Sequence, residues 1–439
     1  MELTLLGTGA PDGLPLPDCP CAACATAVGD EARAATALLV DGVLLLDLTP
    51  GPAFAAARAG RSLAGVRQVL LSHPHQGPLP EVPASLPQPG RVADGRRLAL
   101  LDGHRVRAVA VDVPGTGYEV SGVGGERLLY LPPGAAPAGL PGADDGRHPG
   151  GSAPGAVQHP YDMVVLDVVE RPEALARLRA AGAVDAATDV IAVHLGHDVT
   201  PGPELHRQLA AAGARTVPDG TTVLVGEYHA VPDLPRRTLV LGGARSGKSV
   251  EAERRLAAFP GVLYVATGGD RPGDQEWADR VRLHRDRRPA SWRTAETCDL
   301  VPLLTSADPG GAGPAADRDG AGGSDTFGGG ADGRSPLLID CLSLWLTHTM
   351  DEVGAWDEEV WAGRGEAELR KRVAELVAAV RASRRPVVAV SNEVGSGVVP
   401  ATAAGRRFRD ELGRLNAAFA AECEQVVLVV AGQAVVVRG

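Results

Sequence analysis

The segment from Gly242 to Ser249 constrains this chain more than any other, because its sequence Gly-Gly-Ala-Arg-Ser-Gly-Lys-Ser fits the phosphate-binding pattern G-x-x-x-x-G-K-[ST]. The apolar run 238–241 before it predicts a β-strand, and good helix formers over 250–258 predict a helix after it. In such a strand–loop–helix context, loop N–H groups and the helix N-terminus bind phosphate oxygens. The segment therefore predicts a nucleoside triphosphate site.

Lysine is rare in this chain, since only Lys248 and Lys371 are lysines among its 43 basic residues. A lysine in the loop supplies a compact charge to the β- and γ-phosphates, and the hydroxyl of Ser249 can reach Mg²⁺. We expect Lys248 to act in catalysis. The predicted nucleotide-binding residues of the loop are Gly242, Gly243, Ala244, Arg245, Ser246, Gly247, Lys248 and Ser249.

The overall composition favours an acidic cytoplasmic protein. A net charge of −11 and a pI of about 5.5 argue against a general nucleic-acid binder. No apolar run approaches the roughly 20 residues that span a bilayer, and the N-terminal residues lack the basic region and cleavage site of a signal peptide. Three of the six cysteines, Cys19, Cys21 and Cys24, lie together, which in a reducing compartment favours metal binding over disulfides.

Short apolar runs bounded by Gly and Pro alternate with helical segments, which predicts an α/β fold throughout. In the first half we expect strands at 3–6, 37–40, 43–47, 69–71, 106–111, 163–167, 190–193 and 222–225, and helices at 52–59, 172–181 and 203–212. In the second half we expect strands at 238–241, 262–267, 337–340, 386–391, 426–430 and 434–437.

These patterns divide the chain into two predicted domains. The first covers 1–230, a linker covers 231–236, and the second covers 237–439. Gly, Ala and Asp dominate 306–334, so this stretch has too little apolar content to order itself and predicts a flexible insertion.

Two further features of the second half point to phosphate chemistry. Asp340 ends an apolar run, where a carboxylate either binds Mg²⁺ or caps the following turn. His284 lies among five arginines between Arg280 and Arg288. This segment is either a solvated basic helix or a polyphosphate site whose imidazole attacks phosphorus.

Several motifs of the second half occur in an order that resembles one enzyme family, the bifunctional adenosylcobinamide kinase / adenosylcobinamide-phosphate guanylyltransferases of cobalamin biosynthesis. The resemblance covers nearly all of 237–439 outside the insertion. The motifs that carry it lie at 242–249, 263–267, 284–289, 292–296, 391–400, 406–410, 413–416 and 429–432.

The resemblance implies a P-loop (RecA-like) parallel sheet with flanking helices, and two reactions that use adenosylcobinamide, ATP, GTP and Mg²⁺. The first moves a phosphoryl group to adenosylcobinamide. In the second, a histidine that falls on His284 attacks the α-phosphate of GTP and passes GMP onward; Leu283 stands where members often carry another histidine. Glu296 and Asp340 fall on nucleotide or metal positions, and the family implies a homo-oligomer. An ordinary small-molecule kinase is the alternative.

The first half resembles the phosphodiesterase branch of the metallo-β-lactamase fold, which implies an αββα sandwich over about 1–230. The segments that carry the resemblance are 7–15, 19–24, 71–75, 164–167, 194–197 and 218–220. By this resemblance Cys19, Cys21, Cys24 and His197 hold a structural Zn²⁺, and three thiolates with one further ligand suit that ion.

The catalytic pattern of that branch is broken here. Gly77 and Pro78 stand at the positions of an aspartate and a histidine, and no histidine lies near 111–114. We therefore expect the remaining residues to form a vestigial metal site: His73, His75, Asp167 and His194. The alternatives are an active metal-dependent phosphoesterase and a module that binds corrinoid or directs assembly.

Overall fold

The structure is a computed structural model that describes residues 1–74, 82–138, 159–198, 201–227, 229, 234–269, 282, 287–305 and 335–439. The predicted insertion at 306–334 and most of the basic segment around His284 lie outside these residues. The chain divides into two compact units, Met1–Leu234 and Pro235–Gly439. No helix among the described residues combines the length and apolar character needed to cross a bilayer.

The first unit alternates short strands with four α-helices in its described part. The strands are β1 (Glu2–Gly7), β2 (Ala37–Val40), β3 (Leu44–Leu46), β4 (Gln68–Leu70), β5 (Arg97–Ala99), β6 (Arg105–Val109), β7 (Gly117–Ser121), β8 (Arg127–Tyr130), β9 (Met163–Leu166), β10 (Asp189–Ala192) and β11 (Thr222–Leu224). The helices are α1 (Ala22–Thr26), α2 (Pro52–Arg58), α3 (Pro172–Ala180) and α4 (Pro203–Ala211).

The strands of the first unit form two sheets, one ordered β11-β1-β2-β3-β4 and the other β10-β9-β8-β7-β6-β5. Apolar side chains from both sheets form one buried cluster, which includes Leu38 and Val106. On the outer face of the first sheet, Ala56 of α2 packs with Leu39. Helix α3 connects the parallel strands β9 and β10, whose residues are all buried. This layering confirms the expected helix–sheet–sheet–helix sandwich.

All eight strands predicted for the first half are present, with small shifts at their ends. The three predicted helices begin at Pro52, Pro172 and Pro203, as expected for proline in a first helical turn. Sequence reasoning missed α1, β5, β7 and β8. In β7 the charged residue Glu119 interrupts the apolar pattern by which a strand is predicted. Glu119 opposes Arg107 of β6 and forms an ion pair of 2.6 Å with it.

The second unit is built on one seven-stranded sheet ordered β14-β13-β15-β16-β12-β17-β18, parallel except for β18. Its strands are β12 (Arg237–Gly242), β13 (Leu263–Ala266), β14 (Arg293–Glu296), β15 (Leu337–Asp340), β16 (Val387–Asn392), β17 (Gln425–Val430) and β18 (Gln433–Arg438). Its described helices are α5 (Lys248–Leu256), α6 (Leu300–Thr305), α7 (Leu342–Glu352), α8 (Glu358–Val360), α9 (Glu366–Ala382) and α10 (Ala403–Ala421).

Helices cover both faces of this sheet. On one face Leu256 of α5 packs with Val240 and Leu338. On the other face Leu346 of α7 and Leu415 of α10 pack with strand residues such as Leu239, which directly precedes Val240. Neighbouring residues of a strand face opposite sides of the sheet because side chains alternate with a period of two. The six predicted strands are present, and the P-loop fold is confirmed; the sequence did not reveal β14, whose residues are mostly exposed.

One buried arginine fixes the two described flanks of the region 306–334. The side chain of Arg385 is almost fully buried, at 1% exposure. Its Nε donates to the carbonyl of Ser335 at 2.7 Å, and its Nη1 donates to the carbonyl of Leu303 in α6 at 3.4 Å. Both flanks are therefore tied to the start of β16.

A histidine between two carboxylates links turns from the two sheets of the first unit. His104 precedes β6, and its Nε2 lies 2.7 Å from Asp41 Oδ2 in the turn between β2 and β3, while its Nδ1 lies 3.1 Å from Asp102 Oδ1. Burial alone would lower the pKa of His104, but the two carboxylates outweigh burial and raise the pKa above its usual value of 6.5.

We predict that this link stabilises the first unit in acid and weakens as the pH rises. A histidine whose pKa is raised by folding contributes stability below its unfolded pKa, and loses it as the pH passes through the folded value. An NMR titration should show His104 titrating above 6.5, and Asp41→Asn should lower that pKa. A His104 pKa at or below 6.5 would contradict the prediction.

Candidate active site and metal centre

The carboxyl ends of parallel strands bring the predicted nucleotide residues of the second unit to one edge of the sheet. Gly242 at the end of β12 is in register with Asn392 at the end of β16. Asp340 ends β15, and Ala266 of β13 is in register both with Asp340 and with Glu296 of β14. Ligands of open α/β sheets bind at such an edge, just beyond the strands.

The loop after β12 is closely packed, which explains its glycines. A Cβ on Gly242 would collide with Ser246 Oγ and would lie 2.8 Å from the Val429 carbonyl. Gly247 has a φ of 97°, in the left-handed region that glycine tolerates. The amide of Gly432 donates to the Ser246 carbonyl at 2.9 Å, so the turn between β17 and β18 supports the loop.

The loop ends at the N-terminus of α5, whose first residue carries a positive charge. Lys248 is the first residue of α5, is only 8% exposed, and donates from Nζ to the Gly243 carbonyl at 3.1 Å. Ser249 follows it and is half-buried. The Oγ of Ser246 is buried and makes no hydrogen bond with the described residues. Unsatisfied donors at a helix N-terminus with a lysine suit an anionic ligand such as a phosphate.

Asp340 offers oxygen ligands at the same edge of the sheet, two strands from β12. Its Oδ2 accepts a hydrogen bond of 2.8 Å from the hydroxyl of Tyr264 in β13. Burial raises the pKa of Tyr264, and the charge of Asp340 raises it further, so the phenol keeps its proton and donates. Carboxylate and hydroxyl oxygens are ligands that Mg²⁺ accepts. Asp340 and Ser249 therefore have the donor chemistry for a magnesium–nucleotide complex.

A network of amide and hydroxyl groups holds the end of β16. The side-chain amide of Asn392 donates to Ser343 Oγ at 3.0 Å, and the backbone carbonyl of Asn392 accepts from Asn416 Nδ2 at 3.0 Å. Ser391 Oγ in turn donates to Asn416 Oδ1 at 2.7 Å. Sequence reasoning did not single out Ser343, because a serine early in a helix carries no motif of its own.

Of the two remaining predicted residues of this site, the structure describes only Glu296. Glu296 is exposed at the end of β14, two strands from Asp340 across the same edge. His284 lies outside the described residues.

In the first unit, four predicted metal ligands lie together. The ligand atoms of Cys19, Cys21, Cys24 and His197 are all within 4.8 Å of one another. His197 Nδ1 is 3.3, 3.6 and 3.7 Å from the sulfurs of Cys19, Cys21 and Cys24, in that order. Three thiols and one imidazole form the donor set of a closed tetrahedral site and fit a zinc ion.

Local structure explains how distant residues meet at this cluster. Cys21 is the N-cap of α1, and its sulfur accepts from the Cys24 amide at 3.4 Å. This hydrogen bond, helped by Cys19, lowers the pKa of Cys21 to about 6, which favours the thiolate that metals bind. A bridge between Gly9 and Leu195 brings the loop that carries His197 to the same place.

The three described residues of the predicted vestigial centre each have hydrogen-bond partners within the protein. In the described part of the chain the cysteine cluster is the only group of three or more such ligands placed to hold a metal ion. Burial lowers the pKa of His194 to about 4, and its Nε2 lies 3.2 Å from the Leu131 carbonyl. Burial raises the pKa of Asp167 to about 6, and its oxygens accept from the amides of Gly134 and Glu170. His75 lies outside the described residues.

His73 also belongs to a largely buried network that sequence reasoning missed. Asp47, at the end of β3, accepts from the Ser72 amide at 2.7 Å and from the Tyr130 hydroxyl at 2.6 Å. His73 Nδ1 lies 2.9 Å from Ser72 Oγ and 3.6 Å from Asp47 Oδ2. Burial alone would raise the pKa of Asp47, but these partners hold it below its usual value. The parallel pairing of β3 and β4 places the two ends side by side.

The geometry of the second unit defines a P-loop nucleotide-binding protein, and comparison with known families makes this more specific. Residues 238–312 and 327–437 match the sequence profile of the family described as cobinamide kinase / cobinamide phosphate guanyltransferase. The chain belongs to this family through its second unit. The match is interrupted within the region 306–334, where the insertion was predicted.

Individual relatives agree with the family match. The chain is 36% identical over 202 residues to a bifunctional adenosylcobalamin biosynthesis protein CobU of Salmonella typhimurium, covering 46% of this chain and 98% of the relative. It is 38% identical over 207 residues to the corresponding CobP of Pseudomonas aeruginosa, with the same coverage. A solved structure described as a new diphosphatase from the PhnP family covers 53% of this chain and 99% of its own, at 18% identity and a TM-score of 0.35.

We predict that the purified protein carries about one tightly bound metal ion per chain, held by the cysteine cluster. Cys21→Ser should release most of it, because the site loses a thiolate whose pKa is already lowered, and should lower the unfolding temperature of the first unit. Elemental analysis of both proteins is the measurement. Cys298→Ser, outside the cluster, is the matched control.

Two metal ions per chain would contradict this prediction, because the second would require ligands such as His73, Asp167 and His194. A wild-type protein free of metal, or a Cys21→Ser variant that keeps its metal, would contradict the assignment of the cluster.

Proposed function

We propose that the second unit phosphorylates adenosylcobinamide with ATP or GTP, and then transfers GMP from GTP to the new phosphate to give adenosylcobinamide-GDP. The observation that carries this proposal is Lys248, buried at the start of α5 in a P-loop that lies within the family match. The curated relatives are named as bifunctional adenosylcobalamin biosynthesis proteins, which supports two reactions in one unit.

In the first reaction, Lys248 and the loop amides would hold the β- and γ-phosphates while the γ-phosphoryl group moves to the hydroxyl of adenosylcobinamide. Such a transfer depends on positioning and on neutralising charge rather than on a protein nucleophile. Ser249 and Asp340 would hold Mg²⁺, which supplies charge neutralisation between the phosphates when bound. Their oxygens suit this role.

In the second reaction, we propose that a nitrogen of His284 attacks the α-phosphorus of GTP and displaces pyrophosphate. The phosphate of adenosylcobinamide phosphate then attacks the same phosphorus and frees the histidine. A covalent intermediate divides one difficult displacement into two easier ones. The arginines near His284 would offset the negative charge that develops on phosphorus.

For the first unit we propose a structural role around a zinc ion, with catalysis lost. Asp112 supports this proposal, because it lies within 111–114, where the resemblance calls for a histidine that this chain lacks, and it forms ion pairs. Its Oδ2 lies 2.8 Å from Arg171 Nη2 and 3.0 Å from Arg177 Nη1. The metal count predicted above tests this role as well.

Lys248→Ala should lower kcat/KM for phosphorylation of adenosylcobinamide by about 100-fold or more, the scale expected when a preorganised charge is removed from an active site. Lys371→Ala is the matched control, since Lys371 is exposed on α9 and is the only other lysine. A coupled assay of nucleotide consumption measures both. Near wild-type activity of Lys248→Ala would overturn the kinase proposal.

Incubation with GTP labelled in its α-phosphate should leave label on the protein, and His284→Ala should abolish it, because the phosphorus–nitrogen bond has no other acceptor at that position. Peptide mapping locates the label. His348→Ala is the control, since His348 is half-exposed on α7. Label that maps to His348, or a wild-type protein that takes no label, would overturn the guanylyl-histidine mechanism.

A further inference from the structure

One buried threonine holds the chain where the candidate magnesium carboxylate leaves its strand. Thr267 directly follows β13 and is 3% exposed. Its amide donates to the Asp340 carbonyl at 3.2 Å. Its hydroxyl accepts from the Cys341 amide at 2.8 Å and donates to the Cys341 carbonyl at 2.7 Å, as a hydroxyl can because it carries one proton and two lone pairs. Three hydrogen bonds from one residue therefore fix the backbone at Asp340 and Cys341.

The register of the sheet explains why Thr267 reaches this point. Ala266, the last residue of β13, is in register with Asp340, the last residue of β15. Thr267 therefore leaves β13 at the level at which the chain leaves β15. Its own carbonyl accepts from the Cys298 thiol at 3.3 Å, so the segment after β14 fixes Thr267 from the other side.

A second set of hydrogen bonds ties the same turn after β15 to the P-loop. Cys341 Sγ lies 2.9 Å from Ser343 Oγ, which accepts from the side-chain amide of Asn392 at 3.0 Å. The amide of the next residue, Glu393, donates to the Gly242 carbonyl at 3.1 Å. The turn after β15 is therefore joined through the end of β16 to the first glycine of the loop that would hold the nucleotide.

Such contacts matter for a magnesium site because a carboxylate ligand is only as well placed as the backbone that carries it. Mg²⁺ demands near-ideal octahedral geometry, so it tolerates little movement of a ligand. Groups that hold a ligand without touching the metal affect affinity for this reason. The Asp340 side chain has its own partner in the Tyr264 hydroxyl, while its backbone depends on Thr267.

We propose that Thr267 is a positioning residue for phosphoryl transfer: its hydroxyl fixes the turn after β15 so that the Asp340 carboxylate meets the magnesium ion of the bound nucleotide. This inference rests on the proposed function. It gives a physical role to the last residue of the segment 263–267, which the sequence analysis singled out only by resemblance.

Two conservative variants separate the hydroxyl of Thr267 from its shape. Thr267→Val has nearly the same shape but no hydroxyl, and Thr267→Ser keeps the hydroxyl but loses the methyl group. Thr267→Ala removes the same hydroxyl with a smaller side chain, and it takes the place of Thr267→Val if valine prevents folding.

Thr349→Val is the matched control, because Thr349 is another buried threonine of this unit. It is 2% exposed, and its hydroxyl donates to the Trp345 carbonyl at 2.9 Å within α7. Thr267→Val and Thr349→Val should both lower the unfolding temperature, since each removes a hydrogen bond from a buried carbonyl. A loss of stability alone therefore cannot explain a difference between them in magnesium binding.

Calorimetric titration of the full-length protein with ADP, with and without Mg²⁺, is the measurement. In Thr267→Val the gain in ADP affinity on adding Mg²⁺ should fall about three- to tenfold, the scale of one uncharged hydrogen bond, while affinity without Mg²⁺ stays unchanged. Thr267→Ser and Thr349→Val should keep the wild-type gain. Asp340→Asn, the reference for a lost ligand, should lose most of it.

A wild-type gain in the folded variant that lacks the hydroxyl, or an equal loss of affinity with and without Mg²⁺, overturns the positioning role. A Thr267→Ser variant that loses as much of the gain as Thr267→Val overturns it too. The proposed function fails in a different pattern, in which Asp340→Asn keeps the full gain. That result removes the magnesium role of Asp340, and the role of Thr267 with it.

Discussion

The parallel register of the strands in the second unit is the constraint on which its candidate chemistry depends. Six strands run in one direction, so the ends of β12, β13, β15 and β16 reach a single edge. That alignment sets Gly242 level with Asn392 and Asp340 level with Ala266, although these residues are far apart in the sequence. A shift by one residue would turn each side chain to the opposite face of the sheet and would separate the carboxylate from the P-loop.

Much of this arrangement can be predicted from short stretches of the sequence, because the motif and the apolar runs that define it are each only a few residues long. The loop at 242–249 carries its own glycines and lysine, and apolar runs such as Leu337–Asp340 read as strands without help from their partners. Strand β14 could not be found in this way. Its residues Arg293–Glu296 are mostly polar and mostly exposed, and they become a strand only by pairing with β13. Tyr264 escaped notice for a similar reason, since its partner Asp340 is distant in sequence.

The first unit shows the same division between local and long-range signals. Three cysteines within six residues suffice to predict a metal centre, and helix starts can be read from Pro52 and Pro172. The network of Asp47, Ser72, His73 and Tyr130 was invisible, because an isolated aspartate after a strand has many uses. Its members meet only because the parallel strands β3 and β4 end side by side. The Nδ1 atom of His73, which the sequence assigned to a vestigial metal site, contacts a hydroxyl and a carboxylate.

The hydrogen bonds of Arg385 have a consequence for how this enzyme can vary and be engineered. They hold the flanks of residues 306–334, near Leu303 and Ser335, at the beginning of β15. Because Asp340 ends β15, this junction lies at the opposite edge of the sheet from the nucleotide loop. The two flanks, Leu303 and Ser335, are therefore anchored away from the described residues of the nucleotide site. A fluorescent reporter or an affinity handle joined to these flanks would start from an anchored point on the far side of the sheet from the P-loop.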